Sequence, residues 1–289
     1  MAVIETKHCT VRYSVGTPFE REALEDVSVQ INEGEFLGII GHTGSGKSTF
    51  VQLLNGLLKP TEGTVLVNGR DIWEHPKDIR RVRFEVGMVF QYPEHQLFEE
   101  TVYKDIAFGP KNQGLSDEEI AERVYRAADL VGLHRELLER SPFELSGGEK
   151  RRAAIAGVMA MEPKVLVLDE PTAGLDPRGR ESLLDQICAY KKKHNTTVLL
   201  VSHSMEDIAR VADRVLVLAD GHVAMDGTTK DVFSRADELE NIGLSVPAVT
   251  KIAAALRNAG VPISSPVYTV QQAKEVLLPL LKGGEHHVV

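Results

Sequence analysis

Cysteine is scarce in this sequence, which has only Cys9 and Cys188 among its 289 residues. Two thiols argue against a disulfide framework and against a structural zinc site, so we expect both to be small apolar residues of the interior. Long apolar runs are also missing, since none approaches the roughly 20 residues that a membrane-spanning helix needs. The first residues lack a signal-peptide pattern. These absences predict a cytosolic protein.

An excess of positive charge is the third absence. The chain has 33 Lys and Arg against 42 Asp and Glu, a net charge of −9. This balance disfavours general binding to nucleic acid or anionic lipid, although a local basic patch stays open. An acidic protein can still work at a membrane by gripping basic segments of an integral partner. Length and composition fit one α/β domain with a modest appendage.

Short apolar segments predict a succession of strands and helices. Residues 36–40 form a continuous apolar run, typical of a strand buried in a parallel sheet. The other predicted strands are residues 4–13, 23–31, 63–69, 86–90, 165–168, 197–201, 214–218 and 223–225. The predicted helices are residues 47–57, 101–113, 116–132, 135–140 and 178–194, a helix containing 153–161, and a short helix between the strands 197–201 and 214–218.

The same pattern suggests how the chain is divided. Residues 1–228 carry the strands, with a helical subdomain at about residues 92–162. Residues 229–289 form a C-terminal extension in which we predict two amphipathic helices, 246–259 and 270–281. The extension is either a tail packed on the first domain or a small dimerising element, and the sequence favours neither.

A phosphate-binding loop is predicted where an apolar strand meets a helix. The segment has the pattern Gly41-x-x-x-x-Gly46-Lys47-Ser48. Its glycines let backbone N–H groups converge on phosphate, and the helix N-terminus adds a favourable dipole. Lys47 is expected to reach the β- and γ-phosphates and Ser48 to bind Mg²⁺. The expected nucleotide contacts are Gly41, His42, Thr43, Gly44, Ser45, Gly46, Lys47, Ser48 and Thr49.

Two acids end the predicted strand at residues 165–168. In an open α/β sheet they lie at the carboxyl edge, where ligands bind. We expect Asp169 to bind Mg²⁺ and Glu170 to act as the general base on the attacking water, or to orient it. Tyr13 is the candidate for stacking on adenine, with Phe19 as a competitor.

The segment Leu145-Ser146-Gly147-Gly148-Glu149, with these motifs, resembles the signature of ATP-binding cassette (ABC) ATPases. The resemblance covers most of the first 230 residues. It implies that Gln91 senses Mg²⁺ and the γ-phosphate and that His203 holds the γ-phosphate. By the same resemblance Asp176 crosses a dimer interface. It further implies that Ser146, Gly147 and Gly148 meet a nucleotide held by a second cassette. One chain alone would then hold two half-sites.

Ser146 and Glu149 also match the S-x-x-E capping box of a helix N-terminus. The fifth signature position is commonly Gln in the family, and a carboxylate there would repel a phosphate. We therefore predict that Glu149 is structural, facing the cap or Arg151 and Arg152, while Ser146 and the two glycine amides meet the γ-phosphate.

A narrower resemblance rests on the segments 90–102 and 105–110. They are similar to the ATPases of energy-coupling factor (ECF) and cobalt-type importers. His42-Thr43-Gly44-Ser45, residues 16–20 and the extension resemble the second ATPase of vitamin-importing ECF modules. That resemblance implies a related first ATPase subunit, a transmembrane coupling protein and a substrate-binding membrane protein as partners. We expect the coupling protein to dock at the groove beside Gln91, through Glu94 or Glu99.

The predicted fold is therefore a P-loop NTPase ABC cassette. It has a RecA-like α/β core, an antiparallel β subdomain, a helical signature subdomain and a small C-terminal helical extension. The expected cofactors are ATP and Mg²⁺, and the expected location is the cytoplasmic side of the cell membrane, as a peripheral protein without nucleic acid. Two alternatives stay open: an ATPase of another importer, for cobalt, nickel or amino acids, and a soluble ABC protein acting on ribosomes or DNA. A single cassette without heptads disfavours the second.

Overall fold

The computed structural model describes residues 1–263 and 266–283, in which ten strands form two sheets. The strands are β1 (Ala2–Tyr13), β2 (Arg21–Asn32), β3 (Phe36–Ile40), β4 (Glu62–Val67), β5 (Arg70–Asp71), β6 (Val86–Val89), β7 (Val165–Asp169), β8 (Thr197–Val201), β9 (Arg214–Ala219) and β10 (His222–Thr228). One sheet has six strands and the other has four.

The six-stranded sheet is the centre of the molecule, with the order β10-β9-β3-β8-β7-β6. Its neighbours pair in parallel except for β9 and β10 at one edge, which are antiparallel. Every residue of β3, β7 and β8 is buried, which explains their continuous apolar sequences. Because these parallel strands point the same way, the residues that follow them meet at one edge of the sheet.

The four-stranded sheet is antiparallel, with the order β2-β1-β4-β5. Along β2 the buried side chains alternate with exposed ones, as predicted from Val27, Val29 and Ile31. Those residues pack with the first helix against one face of the central sheet.

Eleven α-helices complete the described chain. They are α1 (Lys47–Leu54), α2 (Ile79–Glu85), α3 (Val102–Asn112), α4 (Asp117–Leu130), α5 (Gly147–Met159), α6 (Pro177–His194), α7 (Met205–Val211), α8 (Thr229–Phe233), α9 (Ala236–Asn241), α10 (Ala248–Asn258) and α11 (Val270–Gly283). Helices α3, α4 and α5 pack on one another within the predicted helical subdomain. No helix of the described residues is long and apolar enough to cross a membrane.

Three helix predictions differ from the structure, one of them because α5 ends at Met159 and does not reach residue 161. The predicted helix 135–140 is wrong: Leu138 N–H donates to Arg135 and Arg140 N–H to Leu137, so the segment is a 3-10 turn over Arg135–Leu137. Helix α1 ends at Leu54 rather than at residue 57, because Gly56 has φ +68° and reverses the chain.

The C-terminal extension contains more helix than expected. Both predicted helices are present as α10 and α11, and α8 and α9 precede them. Phe233, Leu239, Leu244 and Val246 join the main hydrophobic core, so this part packs on the nucleotide-binding domain. Helices α10 and α11 share a separate small cluster around Ala253.

Candidate nucleotide-binding and catalytic site

The predicted phosphate loop connects β3 to α1. Two of its glycines are required by close packing: a Cβ on Gly41 would lie 2.3 Å from the Leu218 carbonyl oxygen, and one on Gly46 would lie 2.6 Å from that of Ala23. Gly46 also has φ +99°, which strains any other residue. The loop is therefore pressed against β2 and β9, and its position at the sheet edge is fixed.

Lys47 points back into this loop. Its Nζ donates hydrogen bonds to the carbonyl oxygens of Gly41 at 2.8 Å and His42 at 2.9 Å. Burial lowers the pKa of Lys47, while the charges of Glu170 and Asp169 oppose that shift. The ammonium group is thus held by the loop carbonyls, near enough to Asp169 of β7 and to Glu170 after it for their charges to affect its pKa.

Asp169 and Glu170 come from the carboxyl end of β7, as predicted. Burial raises the pKa of Asp169, and the Ser48 hydroxyl and the charges of Lys47 and His203 oppose that rise. Burial, followed by the charge of Asp169, raises the pKa of Glu170 to about 7. The two neighbouring acids therefore differ: the Ser48 hydroxyl lies beside Asp169, whereas burial and the charge of Asp169 raise the pKa of Glu170 to about 7.

The backbone of Glu170 is strained. Its φ is +55°, a left-handed conformation that a residue with a long side chain rarely adopts. Its N–H donates to the Val201 carbonyl at 3.0 Å, which ties the turn to the end of β8. Strain of this kind collects at functional sites, where the surrounding structure holds it.

His203 lies beside this carboxylate. Its Nε2 is 2.9 Å from Oε1 of Glu170, an ion-pair distance. The contact is not an aligned hydrogen bond, because Oε1 is buried and has no hydrogen-bond partner in the described part of the chain. Burial and the charge of Lys47 lower the pKa of His203.

Tyr13 borders the phosphate loop. Its hydroxyl is 3.2 Å from Oγ1 of Thr49, and the two residues line one cavity with Arg21, Ala23, Gly44, Gly46, Lys47 and Ser48. Phe19 lies outside this lining and is 83% exposed. The geometry favours Tyr13 over Phe19 as the base-stacking candidate.

The oxygen donors predicted to hold Mg²⁺ are Ser48, Asp169 and Gln91. The Ser48 hydroxyl is close enough to Asp169 to lower its pKa, so these two belong to one site. Gln91 is exposed and follows β6, the strand beside β7. Hydroxyl, carboxylate and amide oxygens are ligands that suit Mg²⁺, which usually keeps waters and phosphate oxygens as its other ligands.

The signature segment lies apart from the phosphate loop, at the start of α5 in the helical subdomain. Ser146 caps the helix: Glu149 N–H donates to its hydroxyl, and Oε2 of Glu149 accepts from Ser146 N–H at 2.8 Å and from its hydroxyl at 2.7 Å. The predicted capping box is confirmed. Ser146 and Gly147 are exposed, and none of the signature residues lines the cavity beside Lys47.

Asp176 also caps a helix, since its Oδ1 accepts a hydrogen bond from Gly179 N–H at 2.6 Å at the start of α6. The side chain is exposed at the surface. The structure therefore brings together Lys47, Ser48, Asp169, Glu170 and His203, and it leaves Ser146 and Asp176 facing outward.

Sequence reasoning missed an internal ion pair. Arg151 does not face Glu149, as one version of the prediction allowed, but reaches Glu94 at 3.1 Å. Glu94 is therefore paired within the chain, and Glu100 pairs with Lys104. Among the described residues, Glu99 is the acid of the segment 90–102 that has no ion pair. The signal was weak because Arg151 lies in a basic run that resembles a solvated helix face.

A second network was also missed. Asp207 of α7 accepts from the Thr172 hydroxyl at 3.1 Å, and Oδ2 of Asp207 lies 3.9 Å from Nε of Arg180. Asp207 therefore joins α7, the helix after His203, to the segment after Glu170. One residue before Asp207, Oε1 of Glu206 accepts from Ala248 N–H at 3.2 Å and so caps α10 of the extension.

Comparison with known proteins gives consistent matches. The model of the ABC transporter family matches residues 24–173. Energy-coupling factor transporter ATP-binding protein EcfA2 of Caldanaerobacter subterraneus subsp. tengcongensis is 54% identical over 280 residues, covering 97% of this chain and 98% of the relative. The protein of the same name from Clostridium perfringens is 54% identical over 272 residues, covering 94% and 95%.

Solved structures agree. The structure of cbiO1 from Clostridium perfringens, part of the ABC transporter complex cbiONQ, has a TM-score of 0.74 and 36% identity, covering 89% of this chain and 99% of that one. The dimeric, post-hydrolysis structure of the cassette MJ0796 bound to ADP and Pi has a TM-score of 0.71 and 28% identity, covering 78% and 98%.

Proposed function

This chain belongs to the ABC transporter family, among its energy-coupling factor transporter ATP-binding proteins, and we propose that it supplies one of two cassettes that drive a membrane importer. The predicted family, cassette fold and ATP hydrolase activity are confirmed by these matches. The chain binds and hydrolyses ATP for a transporter. The division of its site between two cassettes, its metal and its partners are the substance of the proposal.

The separation of the two half-sites is the observation that carries the proposal. Lys47, Asp169 and Glu170 converge at one edge of the central sheet, while Ser146 is exposed at the N-terminus of α5. The N-terminus of α5, with Gly147 exposed, offers backbone N–H groups to an anion carried by another molecule, and the Ser146 hydroxyl would have to turn from Glu149 to join them. The signature of a second cassette would then complete the ATP site around Lys47. In the same way, Ser146 of this chain would complete the ATP site of the second cassette.

Each residue of the site has a role in this scheme. Lys47 and the loop amides bind the β- and γ-phosphates, and Tyr13 stacks on adenine. Ser48, Asp169 and Gln91 would hold Mg²⁺, which would supply positive charge to the phosphate oxygens. Glu170 accepts a proton from the attacking water, and His203 positions that water and the γ-phosphate through its contact with Glu170.

Binding and hydrolysis would move the two cassettes. ATP bridges them while its γ-phosphate is intact, and loss of that phosphate weakens the bridge. Asp176 lies exposed at the start of α6 and would cross the interface between cassettes. The relatives named as EcfA2 support a second cassette that is a related, distinct subunit rather than a copy of this chain.

Membrane partners complete the proposal. We assign the groove beside Gln91 to a transmembrane coupling protein with basic side chains, and Glu99 with the exposed Phe98 offers it charge and apolar surface. The chain would sit on the cytoplasmic side as a peripheral subunit. A substrate-binding membrane protein would select the cargo, a vitamin or another micronutrient. We also propose residues 1–228 as the cassette and 229–289 as an extension that pairs cassettes.

Copurification tests this assignment. A tagged chain is expressed in its own host, membranes are solubilised in detergent, and the bound proteins are identified. We expect a second cassette and two integral membrane proteins in stable ratio, with less of them for a Glu99→Arg, Phe98→Ala variant. Recovery of ribosomal proteins or nucleic acid in place of membrane proteins would contradict the proposal, as would a chain that stays alone in the soluble fraction.

A further inference from the structure

Arg151 is an almost completely buried cation in the helical subdomain. Its side chain is 8% exposed, and it lies in the second turn of α5. Its Nη2 is 3.1 Å from Oε1 of Glu94, and its Nε is 3.3 Å from Oε2, so the guanidinium spans both carboxylate oxygens. Its Nη1 donates to the carbonyl oxygens of Ala173 and, at 3.5 Å, Pro171. We name this set the arginine clasp: Arg151, Glu94 and the carbonyls of Pro171 and Ala173.

The clasp joins three segments that matter for hydrolysis. Glu94 lies three residues after Gln91, in the 3-10 helix Pro93–Gln96 that packs on α5. Arg151 lies five residues after Ser146 on the signature helix. Pro171 directly follows Glu170. One side chain therefore contacts the segment of the metal-sensing Gln91, the signature helix and the turn of the general base.

The chemistry of the clasp favours arginine over any other residue. A planar guanidinium can contact a carboxylate with two nitrogens and still donate to carbonyls on its other side, whereas lysine carries a point charge. Burial alone would raise the pKa of Glu94, but the hydrogen bonds and charge of Arg151, together with the backbone N–H of Glu94 and the charge of His95, outweigh burial and lower the pKa. The pair is therefore ionised, and either partner alone would be a poorly compensated buried charge.

The turn that the clasp holds is the strained one. Glu170 has φ +55°, and its carbonyl accepts from Ala173 N–H at 3.2 Å, which closes the turn 170–173. The Arg151 Nη1 binds the carbonyls of Pro171 and Ala173 on this same turn. A strained backbone persists only where several contacts hold it together. Arg151 supplies contacts that come from outside the central sheet.

We propose that Arg151 is a positioning residue for hydrolysis. It holds the turn 170–173 so that Glu170 faces the attacking water. It also transmits a movement of the Gln91 segment or of α5 to that turn. The inference rests on the proposed function of Glu170 as general base. It adds a route by which contacts made at the signature or at the membrane groove alter the rate of the chemical step.

The test is a comparison of two Arg→Lys variants in the complex of the chain with its copurified partners. Arg151→Lys keeps the positive charge but loses the planar guanidinium that contacts both oxygens of Glu94. Arg126→Lys is the matched control, because Arg126 also joins a half-buried glutamate, Glu162, and lies on α4 away from the turn. We measure kcat, the KM for ATP and the melting temperature of both variants.

Arg151→Lys should lower kcat by about tenfold or more, with the KM for ATP changed by less than about twofold, because misplacing a catalytic group affects the chemical step rather than binding. Arg126→Lys should leave kcat within about twofold of wild type. Equal effects of both variants on kcat, or a rise in KM that accounts for the loss, would overturn the proposal.

Glu94→Gln tests the link to the Gln91 segment separately. It removes the charge of Glu94 and one of the two oxygens that accept from Arg151, so Arg151 loses its buried counter-ion, and we expect a fall in kcat without a change in KM. A Glu94→Gln complex as fast as wild type would overturn the link. The proposed role of Glu170 fails differently: there Glu170→Gln would hydrolyse ATP at the wild-type rate.

Discussion

Nε2 of His203 lies 2.9 Å from Oε1 of Glu170, a carboxylate oxygen that is buried and accepts no hydrogen bond in the described residues. The two side chains come from the ends of neighbouring strands, β8 and β7. A histidine at this position can contact a water molecule or a phosphate oxygen while the carboxylate accepts a proton from the water. In the proposed mechanism the reacting atoms of ATP hydrolysis lie beside this pair.

In the absence of nucleotide and metal, the Glu170→Gln variant is predicted to become more stable relative to wild type as the pH rises. The Glu170 pKa is about 7 in the fold against 4.5 for the free side chain, so the unfolded state loses its proton first and stability falls between those pH values. Glutamine has no such loss. The variant should gain roughly 3 kcal/mol of unfolding free energy relative to wild type between pH 4.5 and pH 8.

Urea unfolding in EDTA at several pH values measures this difference. Glu33→Gln, a substitution of an exposed turn residue, is the control and should show no comparable trend. A Glu170→Gln advantage that is the same at pH 5 and pH 8 would show that burial does not raise the pKa of this carboxyl.

The capping box of α5 is predicted to stabilise the fold apart from any nucleotide. Ser146→Ala removes an N-cap hydroxyl and should cost about 1 kcal/mol of unfolding free energy. Glu149→Ala removes the reciprocal acceptor of the Ser146 N–H and should also lower the melting temperature. Glu149→Gln should cost less, because an amide oxygen can accept the same hydrogen bond. If Glu149→Ala melted at the wild-type temperature, Glu149 would have no structural role.

Tyr13 is predicted to contribute to ATP affinity through its ring. Tyr13→Ala should weaken ATP binding by about three- to tenfold, the loss of one aromatic stacking contact. Tyr13→Phe should bind nearly as well as wild type, since it loses only the hydroxyl contact with Thr49. Fluorescent-nucleotide titration checks both. Phe19→Ala serves as the comparison, and a larger loss there than at Tyr13 would reverse the assignment.

Glu206 is predicted to tie the C-terminal extension to the helix after His203. Its carboxylate accepts from the Ala248 N–H, and Pro247 supplies no side-chain cap. Glu206→Ala should speed hydrogen exchange in the first turn of α10, and Glu206→Gln should leave it near the wild-type rate. Equal exchange in all three proteins would mean that the extension is held by its apolar contacts alone.

Local patterns predicted much of this structure. The bounds of β3 and β8 agree with the predicted residues 36–40 and 197–201, because a fully buried strand is a continuous apolar run with polar ends. The capping box of Ser146 and Glu149 was predictable because its partners are three residues apart. Likewise Asp169 and Glu170 follow a buried strand, and strand direction alone takes them to the sheet edge.

Contacts between segments that are far apart along the chain could not be predicted from the sequence. Arg151 and Glu94 are 57 residues apart, and nothing in either segment marks the other as its partner. Helices α8 and α9 are too short for the apolar periodicity that predicted α4. The strain at Glu170 was equally hidden, because it depends on the hydrogen bonds that hold the turn 170–173.

The central claim is that Glu170 of this chain is the base for ATP held by its own phosphate loop. The direct measurement uses 8-azido-ATP, labelled with ³²P at the α- or the γ-phosphate and cross-linked to this chain within the complex in the presence of Mg²⁺. The wild-type chain should keep the α-label and lose the γ-label with time, and Glu170→Gln should keep both. Loss of the γ-label from the Glu170→Gln chain at the wild-type rate would contradict the account.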